Sequence, residues 1–209
     1  MIQELRNRYN QQFTLERYQG FLKDLNSKHP GAIDFRVAET PVFVDREFAE
    51  KLYEAGEYIL DFLLAPGFKS LTERAIPPAD RVAHENDRCH LLAFDYAVCR
   101  NEQGVLEPRL IELQGFPSLL GFQVYYPDCL RRHFSIPDNF SQFLNGYNKE
   151  SFLNDFRSLL LANHAAEEVI LLEIQPHHQK TRIDFYCTQD YTEIPIVCLT
   201  ELIQEGKKL

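Results

Sequence analysis

Apolar residues recur at helical spacing along much of the chain. The clearest stretch follows Asp45, a typical helix N-cap residue, and it stops at Pro66-Gly67. Its apolar positions are separated by three or four residues, the period of an amphipathic helix: Phe48, Leu52, Ala55, Ile59 and Phe62. This segment therefore predicts a long helix with one face buried.

The same criteria predict four further helices. Thr14 is a suitable N-cap for a helix that runs to about Lys28, and Ser118 for one that runs to about His133. A third helix is expected to begin at Asn148 or Ser151, and a fourth to span residues 179–190. Residues 34–38 read as a short strand or extended segment. On the fourth helix and at its end, Asp184, Asp190 and Glu193 are interpreted as solvated side chains.

Two apolar runs flank that fourth helix. Residues 168–174 and 194–199 are rich in Val, Ile and Leu, which is typical of buried parallel strands. A strand, a helix and a second strand at this spacing predict a small Rossmann-like βαβ unit. His177 and His178 follow the first strand, where a loop role is favoured over a role in ligand binding. The expected fold class is α+β, with a helical N-terminal part.

A different pattern occupies residues 90–115, where polar residues interrupt two strand-like segments. Asp95 lies on the first segment, Glu112 and Gln114 lie on the second, and Asn101 to Gly104 form a turn signal between them. A hairpin folded about Gln103 and Gly104 places Asp95 opposite Glu112. Facing like charges destabilise a sheet, so a divalent cation is the natural reason for this arrangement.

These residues resemble a known family. Phe94-Asp95 on one strand, Leu110-Ile111-Glu112-Leu113-Gln114 on the next, and the following Phe116-Pro117-Ser118-Leu119 are similar to the metal-binding hairpin of circularly permuted ATP-grasp enzymes. That branch includes glutathionylspermidine synthetase-like ligases. The resemblance implies that Asp95, Glu112 and Gln114 hold Mg²⁺ against the phosphates of ATP.

The resemblance also assigns roles around the hairpin, with two departures from the family pattern. Gln114 replaces the usual Asn, and Ala93 replaces an Arg that often precedes the Asp. Arg81 or Arg88 is the substitute expected to contact phosphate, and Ser118 is expected to contact the nucleotide beside Gln114. The reaction implied is the ATP-dependent joining of a carboxylate and an amine, both of them small-molecule substrates.

Domain limits follow from the same resemblance. Residues 1–147 would be an ATP-grasp-like part, and residues 148–209 a truncated pre-ATP-grasp-like βαβ part. Residues 201–209 look like a hairpin arm without its returning strand, and related ligases continue well beyond such a point. The alternative is a non-catalytic domain that keeps the fold and binds a ligand or a partner. Whether the chain is an enzyme stays open, with a ligase favoured if the natural chain is longer.

The composition indicates which kinds of partner and which cellular compartment to expect. The formal net charge of −9 and the lack of a Lys/Arg run argue against a nucleic-acid partner. No stretch of 18 apolar residues occurs, so no membrane span is expected. The five scattered cysteines have no Cys-x-x-Cys spacing, which favours free thiols in the cytoplasm.

Overall fold

The computed structural model describes residues 2–85 and 89–206. The fold is mixed α+β, as the sequence predicts at this level. The helices are α1 (Gln3–Gln12), α2 (Leu15–Leu25), α3 (Arg46–Leu63), α4 (Phe68–Thr72), α5 (Leu120–His133), α6 (Lys149–Leu161) and α7 (Arg182–Thr192). The strands are β1 (Ala93–Arg100), β2 (Leu106–Gln114), β3 (Leu171–Glu173) and β4 (Ile196–Cys198).

The chain forms two compact units. The first contains Met1–Gln3 and Val42–Pro117, and the second contains Glu4–Pro41 and Ser118–Leu209. The predicted boundary between residues 147 and 148 falls within the second unit, and as a limit between family domains it stays a prediction. The hairpin of β1 and β2 belongs to the first unit, and the parallel pair of β3 and β4 belongs to the second.

Aromatic side chains fill the core of the second unit. Tyr9, Phe21 and Phe134 are almost completely buried. The rings of Tyr9 and Phe134 stack at 4.8 Å, and Phe21 meets the edge of Tyr126 at 5.6 Å. Such pairs add about 0.5–1.5 kcal/mol each to the burial of apolar area. Helix α1 was not predicted, because only Leu5 and Tyr9 mark its buried face.

A buried carboxylate joins α7 to the start of α5. Asp184 accepts hydrogen bonds from the backbone N–H groups of Leu119 and Phe122, both at 2.9 Å. Burial raises the pKa of this carboxyl, although the backbone donors oppose that shift. The prediction that Asp184 is solvated is therefore wrong. Ser118 does not cap α5 either, because the N-cap residue is Leu119, in the left-handed region at φ 67°.

The contact between α5 and α7 is also unusually close. A β-carbon on Gly121 would lie 2.8 Å from the backbone nitrogen and the hydroxyl of Thr188. Real side chains do not approach backbone atoms so closely, and the two helices would have to separate. A glycine at this position allows the backbone of α5 to reach α7.

The predicted βαβ unit is present, but its strands are short. β3 and β4 pair in parallel over three residue pairs, with α7 between them in the sequence. The prediction of a buried strand at residues 168–174 is wrong, since Ile170, Leu172 and Ile174 are 38%, 46% and 57% exposed. A sheet of two short strands leaves much of its surface uncovered.

Other predicted elements have mixed outcomes. Thr14 caps α2, and Asn148 caps α6 through a reciprocal pair of hydrogen bonds with Ser151. Residues 34–38 form no strand. Residues 202–206 of the predicted hairpin arm form no strand either, and residues 207–209 lie outside the described part of the chain.

The first unit contains α3, α4 and the hairpin. Asp45 caps α3, and its carboxylate accepts a hydrogen bond from the backbone N–H of Phe48 at 2.9 Å. In this unit only Phe43 and Phe48, among the described apolar side chains, are buried. Within residues 2–85 and 89–206, no helix is both long and apolar enough to cross a membrane.

The α5–α7 contact gives a prediction about stability. Gly121→Ala should lower the free energy of unfolding by about 1–3 kcal/mol, the usual cost of overpacking. The matched control is Gly20→Ala within α2, where the new β-carbon would make ordinary contacts at 3.5 Å with His133. That control should leave stability unchanged or raise it by up to about 1 kcal/mol. Urea unfolding measures both changes, and equal effects would contradict the close contact.

A second prediction concerns acid. Arg132 donates two hydrogen bonds to Asp24, at 2.8 and 3.1 Å, and these bonds lower the pKa of that carboxyl, with His133 adding to the effect. A lowered pKa in the folded state stabilises the protein above the ordinary pKa, and the contribution disappears as the pH falls through the folded value. Asp24→Asn should therefore destabilise the protein at pH 7 by about 0.5–1 kcal/mol.

The same variant should come closer to the wild type in stability at pH 2.5, because that pH lies below the ordinary pKa of an aspartate carboxyl. The control is Asp61→Asn, which removes an exposed carboxylate of α3. Thermal unfolding at both pH values provides the comparison. A difference for Asp24→Asn that is undiminished at pH 2.5 would show that the ion pair is not its cause.

Candidate functional site

The hairpin has the predicted pairing at the candidate site. β1 and β2 are antiparallel, with Asp95 opposite Glu112 and Ala93 opposite Gln114. Paired residues of adjacent strands share one face of a sheet. The three side chains proposed to hold a metal therefore lie together.

The hairpin differs from the predicted one in two ways, and their effects on the register cancel at the pair of Asp95 and Glu112. The turn closes around Glu102 to Gly104, one residue more than the predicted pair, with Asn101 bonded to Val105 and Gly104 at φ 78°. Farther along, the pairing passes from Tyr96 opposite Leu110 to Asp95 opposite Glu112. Ile111 is the extra residue of this β-bulge, and it is 67% exposed. The longer turn shifts the register by one residue and the bulge restores it.

The bulge also determines what each face carries. One face contains mostly polar residues, and we name it the polar face: Ala93, Asp95, Ala97, Cys99, Glu107, Arg109, Glu112 and Gln114. The opposite face contains mostly apolar residues: Phe94, Tyr96, Val98, Arg100, Leu106, Pro108, Leu110 and Leu113. The second face meets α3, where the Tyr96 hydroxyl lies 3.7 Å from the position of a β-carbon on Gly56.

That packing leaves two tyrosine hydroxyls in apolar surroundings. The hydroxyls of Tyr53 and Tyr96 are buried without a hydrogen-bond partner among the described residues. Burial raises the pKa of both phenols. They do not belong to the polar face.

An amide bridges the two carboxylates of the site. The Gln114 Nε2 donates to Asp95 Oδ2 at 3.0 Å and to Glu112 Oε1 at 2.6 Å. Hydrogen bonds to charged acceptors are stronger than neutral ones, so this amide offsets part of the repulsion between the acids. Asp95 and Glu112 are both exposed to solvent.

The donor set suits a hard cation. Two carboxylates and an amide oxygen are ligands that Mg²⁺ accepts, with water completing the coordination. Gln114 now directs its nitrogen to the acids, and it would have to rotate its amide to offer oxygen. Within residues 2–85 and 89–206, no cluster of three or more His, Cys, Asp and Glu side chains is arranged for a metal. The site therefore fits a weakly held, mostly hydrated ion.

Among the other predicted site residues, Arg81 takes part in a separate ion pair. Arg81 lies 3.4 Å from Glu73 in an ion pair, and Arg88 lies outside the described residues. Ser118 is exposed and belongs to the second unit, whereas Gln114 belongs to the first. The roles of Arg88 and Ser118 in nucleotide binding stay predictions.

A cysteine missed by the sequence reasoning lies at the carboxyl ends of β3 and β4. Cys198 Sγ lies 3.1 Å from the Thr200 hydroxyl and accepts a hydrogen bond from the Gln175 N–H at 3.4 Å. Contacts from the Thr200 hydroxyl and from backbone N–H groups lower the pKa of this thiol. Nearby, His177 is bonded to the Tyr186 hydroxyl at 2.9 Å. Nothing in the spacing of the cysteines distinguishes Cys198.

The bulge can be tested by cross-linking. In a background with Cys89 and Cys99 replaced by Ser, Asp95→Cys with Glu112→Cys should form a disulfide on mild oxidation, because directly opposed residues have suitable separations. Asp95→Cys with Ile111→Cys should not, because Ile111 has no partner on β1. Mass spectrometry of digests measures both. Efficient formation of the 95–111 disulfide would mean that the strands pair without the bulge.

Comparisons with known proteins do not extend these observations. No protein-family model matches the chain, and no curated protein or solved structure shows significant similarity to it. The register, the polar face and the amide-bridged acids are therefore the observations on which a function can be based.

Proposed function

We propose that the polar face binds Mg²⁺ together with a nucleotide, as part of an ATP-grasp-like protein related to ATP-dependent carboxylate–amine ligases. The observation that carries this proposal is the convergence of Asp95, Glu112 and Gln114, with both acids within hydrogen-bond distance of one amide. Two exposed carboxylates and a half-buried amide on adjacent strands are accessible to a hydrated ion and to the phosphates of a nucleotide.

Each side chain has a distinct part in this proposal. Asp95 and Glu112 are direct ligands, and the strands keep them opposite each other. Gln114 is either an amide ligand or a support that orients the acids. The bound ion would supply charge neutralisation for phosphoryl transfer. The chain's own contribution is to place the two carboxylates at a fixed spacing.

The rest of the proposal follows the family resemblance. The β3–α7–β4 unit would be the pre-ATP-grasp part, and the protein would act in the cytoplasm on a small carboxylate and an amine. The openness of the site favours a second candidate, a domain that binds its ligand without catalysis. Phosphoryl transfer requires the exclusion of water, whereas Asp95 and Glu112 are both exposed.

Metal titration tests the site directly. Mn²⁺ is a paramagnetic substitute for Mg²⁺, and its binding to the chain in the presence of ATP should be seen by electron paramagnetic resonance. Glu112→Gln should weaken this binding about tenfold or more, since one of two charged ligands is lost. The control Glu102→Gln removes an exposed acid of the turn and should have little effect. Equal affinity in the wild type and in Glu112→Gln would refute the site.

Turnover separates the two candidates. An assay of the chain with ATP, Mg²⁺ and mixtures of amino acids and polyamines should show nucleotide binding with negligible phosphate release. Robust turnover that is lost in Glu112→Gln would instead show that these residues already belong to a complete active site.

A further inference from the structure

Arg109 is the cation of the polar face. Among the eight residues of that face, all of them described, it is the only Lys or Arg. It lies opposite Ala97, and the bulge brings it to the next position on the face after Glu112. Arg109 and Asp95 are therefore diagonal neighbours across the two strands. Such neighbours are about 7–8 Å apart, a distance that an arginine side chain can span.

Arg109 also lies beside open space. A surface depression of about 480 Å³ is lined by Glu107, Arg109, Cys99 and the turn residues 100–103. In this structure Arg109 is paired with Glu107 on the same strand, at 2.5 Å, and the side chains of Arg109 and Glu107 are 69% and 27% exposed. Because the guanidinium is mostly exposed, it can turn from Glu107 toward an anionic ligand that enters the depression.

The charges of the face require such a cation if phosphate is to bind. Asp95, Glu107 and Glu112 are acidic, and they repel a polyphosphate unless positive charge lies on both sides of it. A metal at Asp95 and Glu112 supplies one positive centre, and Arg109 supplies the second. Guanidinium groups bind phosphate through two parallel hydrogen bonds, a geometry that lysine lacks.

We infer that Arg109 binds the phosphate chain of the ligand. Because Ala93 stands where a cation on β1 would contact phosphate, Arg109 on β2 takes that role. The ligand would be a di- or triphosphate that runs along the polar face, from the metal position at Asp95 toward the depression at the turn. This inference rests on the proposed function, since the metal holds one end of the chain.

A matched pair of arginines provides the test. Arg109→Gln and Arg46→Gln each remove one exposed charge from the first unit, but Arg46 belongs to α3, does not line the depression, and donates to Glu50 at 3.0 Å. Calorimetry with inorganic triphosphate and Mg²⁺ should show affinity reduced about tenfold for Arg109→Gln and less than about twofold for Arg46→Gln. Arg109→Lys should retain only part of the affinity.

A gain of affinity is expected when Glu107 is neutralised. Glu107→Gln should bind triphosphate about two- to threefold more tightly than Glu50→Gln, because both changes remove an acid that is paired with an arginine but only the first releases Arg109. Circular dichroism confirms that each variant is folded. Equal losses in Arg109→Gln and Arg46→Gln, or no binding of triphosphate by the wild type, would overturn the role of Arg109.

The proposed function has a separate measure. Mn²⁺ binding measured without nucleotide or triphosphate depends on Asp95 and Glu112, and Arg109→Gln should leave it unchanged. Mn²⁺ binding combined with triphosphate affinity that is insensitive to Arg109 would refute this inference alone. Failure of the wild type to bind Mn²⁺ would refute the proposed metal site, while the comparison of the two arginines still decides the role of Arg109.

Discussion

One extra residue in β2 determines which side chains the candidate site contains. Side chains alternate between faces, so a regular β2 would place Leu106, Pro108 and Leu110 on the same face as Glu112. The bulge at Ile111 changes this alternation, and Glu107 and Arg109 join Glu112 instead. The apolar residues are thereby collected on the face that meets α3. Bulges often occur beside functional sites because they redirect side chains in this way.

The second unit depends on a different constraint, the junction of α5 and α7. The carboxylate of Asp184, a residue of α7, lies against the first turn of α5, where backbone N–H groups lack helical partners and attract negative charge. One turn away from this carboxylate along α7, Thr188 contacts Gly121 at a distance that only glycine permits. A polar anchor and a close backbone approach thus fix the same pair of helices. A neighbouring helix provides the cap that Ser118 was expected to give.

Local signals in the sequence predicted the elements whose causes are local. Asp45, Thr14 and Asn148 all cap helices as expected, because a cap requires only a side chain and the next three residues. The pairing of Asp95 with Glu112 was also predicted, although a longer turn and the bulge had to compensate for each other. The burial of Asp184 depends on packing between α5 and α7, which no pattern along one helix reveals. The exposure of β3 likewise depends on how few strands pair with it.

The electrostatics of the polar face connect its geometry to the proposed chemistry. The Gln114 amide donates to both facing acids, which offsets part of their repulsion. The same arrangement prepares the acids for a cation, because their separation is set by the strand pairing before binding occurs. Binding then replaces the contacts of the Gln114 nitrogen with stronger attraction between the ion and the carboxylates. A site built in this way is weak without an anionic co-ligand, and for this reason the position of Arg109 beside the acids is central to the proposed function.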